Sequence, residues 1–577
     1  MTLPLVERPD SITVDMLENA YLSTFTERPG LEQVNAWRSS LEFLRNSGIK
    51  TPVIVEMPIL GGERADFVFV DDQRGLVVEM KGWKNVRVLN DYLVKADGGI
   101  HLNPCYQVEN YVNKLNYFHS SNVRFEGTVV MYNVRDVELE CDVITEPREL
   151  RDAVNSLGPV NQEALDRVLR GKFHITDALV SLLESQGSSI LQNASRALLS
   201  RGYGLTEEQA LLVHQVMEDL DNNRDRTYLV RGESGSGKTL VAITLLIEGL
   251  RRGKRTVLAY KNNRLLNTLR MVLGPVSGAV RFYSTGYKDG VGQPRFNEEL
   301  DLVIFDEAQR MTEDVIKTSM TRGKVRVFFY DDNQILIGEE VGTRDMFRRY
   351  ASSSAFTEMS LSSLFRQSKE YLFWVRELLW GKPEMARNLG IEIRVFNSIT
   401  DMLRELNNRE DRALVCAFTE SEGDQKNPDS LKNVRIGFPL QSGFSLYRNV
   451  DLRNVVGRDR ITWLMDPKKD YPLYWTRRSD LSRCASVYGA QGFEASYVGV
   501  VWGRDLVWRG GWSIDPGPIT DDVGGRHSLK RLASRDPKRA LELLKNRYYI
   551  MLTRGIKGVY IFPEDRETGV FLNSLLT

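Results

Sequence analysis

The segment Gly232-Glu233-Ser234-Gly235-Ser236-Gly237-Lys238-Thr239 lies between an apolar strand, TYLVR, and a long apolar helix, TLVAITLLIEGL. This constrains the fold more than any other feature of the chain. A glycine-rich turn from a strand into a helix N-terminus lets backbone N–H groups converge on phosphate oxygens. Lys238 is then placed to neutralise those oxygens, and the Thr239 hydroxyl to meet Mg²⁺. The surroundings agree. From Tyr203 onward TYLVRG, KTLVAITLLIEGLRRG, RTVLAY, LDLVIFDEA and VRVFFYDD alternate short strands with longer helices, the pattern of a parallel sheet with right-handed crossovers. RALVCAF, RITWLM, ASYVGVVW and GVYIF repeat it after about residue 356 and predict a second α/β lobe. The glycine-rich stretch from Arg509 to Arg526 reads as a long surface loop.

A strand ending in Asp306-Glu307-Ala308-Gln309 supplies what phosphoryl transfer to water needs next. Asp306 is the candidate Mg²⁺ ligand, and Glu307 the group that polarises the attacking water.

The first 150 residues predict a separate α+β block: a helix over 31–48, the strand VIVEMPIL, the hairpin ADFVFV/DDQRG/LVVEMK, the pair VRVLN/DYLVKAD, a helix around QVENYVNKLNYF and the strand FEGTVVMYNV. If the hairpin turns around Asp72 to Arg74, Asp66 falls across from Glu79 to Lys81, gathering two carboxylates and an ammonium at a strand end. Metal-assisted phosphodiester cleavage uses such a set: hard oxygen ligands for the ion and a lysine that orients or deprotonates water. Residues 151–202 read as a helical connector packing on the second block, 203–355 as the first lobe and 356–577 as the second.

Several segments in order resemble superfamily 1 helicase motifs. Leu205 to Gln209 resembles the adenine-reading motif, with Gln209 as its glutamine, and Asp306 to Gln309 the helicase Walker B. Tyr330 to Gln334 resembles the third motif, in which Gln334 senses the γ-phosphate; Tyr330 stands where that family usually has glycine. Leu364-Phe365-Arg366-Gln367 and Tyr549 to Arg554 resemble the segments that supply arginine fingers, here Arg366 and Arg554. Gly489 to Glu494 resembles the segment contacting ribose and γ-phosphate, with Gln491, Gly492 and Glu494 as its polar positions. Lys261 to Arg264 resembles the single-strand-contacting Ia segment. The short interval between Gly232 and Gln334 leaves no room for large insertions. The compact form therefore most resembles the Schlafen-type helicase domain, which implies two RecA-like lobes, ATP as cofactor and translocation or clamping rather than robust unwinding.

The order Asp66, Glu79, Lys81 resembles the PD-(D/E)xK nuclease superfamily and its nuclease-related domain branch, with Ala65 where a proline often stands. Gln107 and Tyr111 resemble the QxxxY motif of RecB-type members. The resemblance implies Asp66 and Glu79 as metal ligands for Mg²⁺ or Mn²⁺, Lys81 as the catalytic lysine, and an extra carboxylate on the first helix, Glu32 before Glu42. His101 and His119 show no ligand spacing and are expected to be structural or exposed.

Equal totals of 77 basic and 77 acidic residues exclude a chain that coats nucleic acid by bulk charge, so any such contact must be a local groove. Four scattered cysteines offer neither a zinc knuckle nor a disulfide framework and point to a reducing compartment. No membrane span and no signal peptide are read, so a cytoplasmic location is expected. Nucleic acid, DNA before RNA, is the expected partner, with a homo-oligomer or partner subunit left open. The combined expectation is a metal-dependent nuclease joined to an ATP-driven motor. By resemblance such bacterial fusions are associated with restriction of foreign DNA. An ATP-gated binding switch and a repair nuclease-helicase are the rivals.

Overall fold

The computed structural model describes residues 2–576 apart from 172, 174–193, 262–277, 285–289, 352–354, 363–367, 417–433, 437–451, 458–460, 464–478, 492–494 and 520. The first block is a mixed sheet between two helical layers. Its strands are β1 (Leu5–Glu7), β2 (Val53–Pro58), β3 (Arg64–Val70), β4 (Arg74–Lys81), β8 (Arg124–Met131) and β10 (Val143–Ile144), in that spatial order. Pairing is antiparallel from β1 to β4 and parallel from β4 through β8 to β10.

Alternation decides which residues face which layer. Val53, Val55, Phe67 and Phe69 pack under α1 (Val14–Phe25), α2 (Leu31–Asn46) and α4 (Pro147–Asn155), while Ile54, Val68 and Val70 pack under α3 (Pro104–Phe118) and α5 (Gln162–Arg170). A small second sheet joins β5 (Asn85–Asn90), β6 (Leu93–Ala96), β7 (Gly99–Leu102) and β9 (Asp136–Val137).

The connector divides between its neighbours instead of packing on the second block alone. Leu150 and Val154 of α4 and Ala164, Leu165 and Val168 of α5 belong to the first block's cores, and Asp71 accepts the Gly158 N–H at 2.9 Å. Among the connector's described helices, α6 (Ala194–Leu199) turns the other way, with Leu198 and Leu199 in the core of the first lobe. The expected helix over ITDALVSLLES lies outside the described residues.

The first lobe is a parallel sheet of β11 (Arg226–Gly232), β12 (Thr256–Tyr260), β13 (Val280–Phe282), β14 (Leu302–Phe305), β15 (Val325–Tyr330) and β16 (Ala355–Leu361), ordered β13-β12-β14-β15-β11-β16. Helices α7 (Glu207–Asp221) and α8 (Lys238–Arg251) pack on it. Their core takes in Tyr92, Leu93, Leu102 and Tyr106 from the first block, so the two units share one apolar interior. Tyr330 ends β15 with its ring edge-on to Phe347 at 5.5 Å, which seats the bulky residue expected to be glycine.

The second lobe comprises β17 (Glu392–Val395), β18 (Arg412–Cys416), β19 (Val434–Ile436), β20 (Ile461–Trp463), β21 (Arg483–Ser486), β22 (Ala495–Trp502) and β25 (Gly555–Pro563), ordered β17-β25-β22-β18-β21-β20-β19; only β19 runs antiparallel to its neighbour. Ile335, Leu336 and Ile337, which follow the first lobe's last central strand, are buried in its core.

Two further expectations are corrected. The Arg509–Arg526 stretch is not simply a surface loop: β24 (Trp512–Ile514) pairs with β23 (Leu506–Trp508), Trp512 stacks on Trp502 at 5.1 Å, and Asp521 is buried against Arg547 at 2.5 Å. Cys105 and Cys141 form a disulfide across a sequence separation of 36, because the start of α3 meets the segment before β10, a proximity the spacing conceals. The premise for a reducing compartment fails at this pair. Among the described residues no helix is long and apolar enough to cross a membrane.

Candidate functional site

The phosphate loop leaves β11 and enters α8 through two left-handed glycines, Gly235 at φ +84° and Gly237 at φ +80°, a conformation other residues adopt only at a cost. Gly232 is required for space, since a Cβ there would lie 2.3 Å from Ser236 Oγ. Lys238 Nζ donates to the carbonyls of Gly232 (2.5 Å) and Glu233 (2.8 Å), curling over the loop. Thr239 Oγ1 donates to Asp306 Oδ2 at 2.8 Å, bringing the two expected Mg²⁺ ligands together.

Asp306 directly follows β14 and is 1% exposed. Burial raises its pKa, and the Thr239 hydroxyl and the Lys238 charge offset part of that rise. Glu307 adopts φ +54°, a strained conformation for a side-chain-bearing residue and one that clusters at functional sites. Its backbone is pinned by Tyr283, whose hydroxyl donates to the Glu307 carbonyl at 2.8 Å. Burial raises the Glu307 pKa as well, against the pull of Arg310.

The second lobe closes the cleft. Arg554 is 2% exposed; its Nε donates to the Ile550 carbonyl and its Nη2 to Ser234 Oγ, both at 2.8 Å. Arg376, on the helix Lys369–Trp380, pairs with Glu233 at 2.8 Å. Arg310 donates to Gln491 Oε1 at 2.8 Å and to buried Glu340 at 2.9 Å. Gln334 donates to Asp331 Oδ2 at 2.8 Å. Gln209 Nε2 donates to the Ser236 carbonyl at 3.1 Å.

Buried Ser236 Oγ, Glu307 Oε2 and Gln491 Nε2 have no protein partner among the described residues. Donors and acceptors left orphaned on the loop, beside Asp306 and on the second lobe suit a polyanionic nucleotide with a hard cation. Arg366, Gly492 and Glu494 lie outside the described residues, as do Asn262, Asn263 and Arg264. Lys261 turns inward, its ammonium on Glu340 and on the Arg310 carbonyl, both at 3.0 Å, rather than toward a groove.

The carboxylate set lies at the ends of β3 and β4. Phe67 pairs with Val78, which sets Asp66 opposite Glu79, and the Met80 N–H donates to Asp66 Oδ2 at 2.7 Å. Lys81 Nζ meets Glu79 Oε1 at 2.8 Å, while buried Glu79 Oε2 has no protein partner among the described residues. Burial raises both carboxyl pKa values; the charge of Glu56 adds to the rise at Asp66, and that of Asp66 to the rise at Glu79. Burial opposes the Lys81 charge, but Glu79 and Asp66 outweigh it and hold the ammonium above its ordinary value. On α3, Gln107 Nε2 donates to the Tyr111 hydroxyl at 2.8 Å; burial, then the charges of Glu63 and Glu79, raises that phenol.

Glu32 and Glu42 are both exposed, because α2 turns Trp37, Leu41 and Leu44 to the sheet and leaves the two carboxylates on its solvent side. Among the described residues a different carboxylate, Glu56, stands next to the pair without completing a metal-binding group. The register sets it beside Asp66, at φ +57°, with Trp37 Nε1 donating to it at 2.6 Å. One charged residue inside the apolar run VIVEMP was the signal. Lys114, fully buried and paired with Glu63 at 2.5 Å beside Tyr111, was also missed; it stands three residues beyond the tyrosine on the same helix face.

Among the described residues no three His, Cys, Asp or Glu side chains are gathered as a metal-binding group. Asp66 and Glu79 alone provide hard oxygens, a set that fits a divalent ion which keeps most of its shell as water or substrate oxygen.

The chain was compared with known proteins. A family model described as Schlafen group 3, DNA/RNA helicase domain, matches residues 225–565, more than half of the chain. An uncharacterized protein of Saccharomyces cerevisiae is 30% identical over 97 residues, 16% of this chain and 21% of that protein. Among solved structures, the arterivirus nonstructural protein 10 helicase is 12% identical with a TM-score of 0.30, covering 63% of this chain and 64% of its own. The complex of that viral helicase with DNA gives 11% identity and a TM-score of 0.29, covering 62% of this chain and 65% of its own. The PRRSV helicase gives 12% and 0.28, covering 63% of this chain and 56% of its own. This chain thus spans under two thirds of the viral helicases and about a fifth of the yeast protein. The two parallel-sheet lobes are RecA-like, and by the match over residues 225–565 the chain belongs to the Schlafen group 3 DNA/RNA helicase domain family.

Proposed function

We propose that this chain hydrolyses ATP in the cleft between its RecA-like lobes, uses that cycle to move along or clamp nucleic acid, and carries in its first block a metal-dependent nuclease centre. The observation that carries the motor reading is the composite loop: Arg554 from the second lobe on Ser234, with Thr239 and Asp306 joined beneath.

Lys238 and the loop N–H groups hold the phosphates, and Thr239 and Asp306 hold the Mg²⁺ that accompanies them. When bound, that ion supplies positive charge across the phosphate oxygens. Glu307, strained and buried, orients and accepts a proton from the attacking water. Arg366 and Arg554 stabilise charge developing in the transition state, and guanidinium suits this because it stays ionised and forks onto phosphate oxygens. Gln209, Gln334, Gln491, Gly492 and Glu494 complete the nucleotide-contacting set.

In the first block Asp66 and Glu79 hold Mg²⁺ or Mn²⁺, Lys81 orients water, and Gln107 and Tyr111 position the substrate phosphate. The predicted substrate is DNA in preference to RNA, with foreign DNA as the biological target. A second reading, an ATP-gated binding switch without cleavage, is favoured by one observation: the Lys81 ammonium occupies Glu79 Oε1 at 2.8 Å and the Met80 N–H occupies Asp66 Oδ2 at 2.7 Å, so two of the four carboxylate oxygens already have protein partners. Incubating the full chain with linear, circular, single- and double-stranded DNA and RNA, with and without Mg²⁺ and ATP, separates them. Metal-dependent cutting supports the nuclease. ATP hydrolysis stimulated by nucleic acid without cutting supports the switch, and no hydrolysis under any condition refutes both.

A further inference from the structure

The phosphate loop and the carboxylate set are joined by an unbroken series of contacts through the first turn of α7. Gln209 ties that turn to the loop by donating to the Ser236 carbonyl at 3.1 Å. It cannot follow the loop alone. A capping box locks it to Thr206: its Oε1 accepts the Thr206 N–H at 3.1 Å, and the Thr206 hydroxyl accepts its N–H at 3.4 Å. Glu207, inside the same turn, accepts the Leu102 N–H of β7 at 3.3 Å and faces His101 Nδ1 at 3.6 Å. The His101 ring stacks on Trp83 at 4.9 Å, and Lys81 Nζ sits over the Trp83 ring at 5.1 Å before reaching Glu79 at 2.8 Å. Just before the turn, the Leu205 N–H donates to the Tyr106 hydroxyl at 2.7 Å, and Tyr106 is the neighbour of Gln107 on α3.

We propose that this turn transmits occupancy of the phosphate loop to Lys81, with Glu207, His101 and Trp83 as positioning residues for the lysine. The inference rests on the nucleotide-site reading given above and names the route by which that site would govern the first block. The route is geometric more than electrostatic. The Glu207 side chain is about half exposed, at 51%, so its charge is screened, whereas its hydrogen bond to β7 and the ring stack fix positions. A phosphate that draws the loop N–H groups toward itself shifts the Ser236 carbonyl with its peptide and moves Thr206 to Gln209 as one unit. Glu207 then carries β7 with it, and the Trp83 face that seats the Lys81 ammonium shifts. Coupling of this kind is reciprocal, so a ligand at the carboxylate set alters nucleotide affinity by the same factor.

Hydrogen exchange by mass spectrometry tests this on the full chain, with and without Mg²⁺ and a non-hydrolysable ATP analogue, and needs no nuclease activity. In the parent, the analogue protects residues 232–240 and changes exchange at the Leu102 amide and across residues 79–84 by about five-fold or more, the lower end of site-to-site coupling. In Glu207→Ala the loop protection persists while the response at residues 79–84 and Leu102 disappears. Glu207→Gln keeps an acceptor oxygen for the Leu102 amide and restores at least part of it. Loop protection in the parent with no response at residues 79–84 overturns the relay, as does a full response in Glu207→Ala. Absence of protection at residues 232–240 in the parent shows instead that the nucleotide-site reading has failed, and the relay with it.

Discussion

Replacing Arg554 tests the composite site most directly, because the structure ties its guanidinium to fixed partners on both lobes and leaves it almost no solvent. Ile550 holds Nε and Ser234 holds Nη2, each at 2.8 Å, and the residue is 2% exposed. A cation held so rigidly where water is excluded needs no reorganisation as charge develops on the phosphate, and arginines in this role contribute about 10³–10⁵ in rate. The lower end applies here, since Arg376 still holds the second lobe to Glu233 of the same loop. We therefore predict that Arg554→Ala lowers kcat for ATP by roughly a thousand-fold, about 4 kcal/mol in the barrier. KM should move by less than about three-fold, because the lost contact acts mainly in the transition state. Arg554→Lys keeps the charge but cannot satisfy Ile550 and Ser234 together, so it should recover only about one decade. The assay is steady-state hydrolysis with saturating nucleic acid, paired with a fluorescent-nucleotide titration and a thermal melt to show that binding and fold survive. A kcat within about three-fold of the parent in a folded Arg554→Ala protein would falsify the assignment.

Glu307→Gln should bind ATP normally yet slow hydrolysis on the order of 10²–10⁴-fold, the usual loss on removing a general base; single-turnover quench experiments read this, and parental turnover refutes it. Lys81→Ala should reduce metal-dependent cleavage on the order of 10³-fold while ATP hydrolysis stays within about two-fold, since the sites use different residues; undiminished cutting in a gel assay sinks the nuclease reading. Asp66 and Glu79 have raised pKa values, so the metal-free fold retains their full contribution at low pH and loses it as pH rises through those raised values. Mn²⁺ should accordingly bind more tightly as pH rises and displace protons, which calorimetry in buffers of different ionisation enthalpy detects; pH-independent binding contradicts it. Glu340 is fully buried and shared by Arg310 and Lys261, so Glu340→Gln should cost about 3–5 kcal/mol in denaturant unfolding by leaving buried charge unbalanced.

Those effects also mark where the sequence was readable. Local geometry announces itself: the glycines of 232–237, the strand before Asp306 and the Asp66/Glu79/Lys81 spacing each encode a backbone shape that brings the named side chains together. Long-range placement does not. Glu56 escaped notice because its partner Trp37 is 19 residues away on another element. Cys105 and Cys141 looked unrelated because only the folded α3 brings their Cα atoms to 5.8 Å. The helices α4 and α5 looked like a spacer because their apolar stripes specify burial but not the surface that receives it. Arg310 and Arg376 carried no signal beyond charge; their meaning comes from Gln491 and Glu233 across the cleft.

The two kinds of interface in this chain divide its possible motions. Tyr92, Leu93, Leu102 and Tyr106 bury themselves in the first lobe's core, and large apolar side chains so buried stabilise by about 1.5–3 kcal/mol each. That seam holds the first block and first lobe as one body, so a signal between them must pass through small displacements at contacts such as Glu207 rather than through swinging on a tether. The cleft between the lobes is different. Around the phosphate loop it is held by polar pairs, Arg554 with Ser234, Arg376 with Glu233 and Arg310 with Gln491, each of which phosphate or water can replace with little change in solvation. Behind them Ile335 to Ile337 anchor the second lobe by apolar burial, with Asn546 and Arg547 capping the Ile335 and Leu336 carbonyls at 2.9 and 3.0 Å. A polar front with an apolar back puts the fixed contacts just beyond Gln334, the place a hinge between the lobes would have its pivot if nucleotide loosened the polar pairs at the loop.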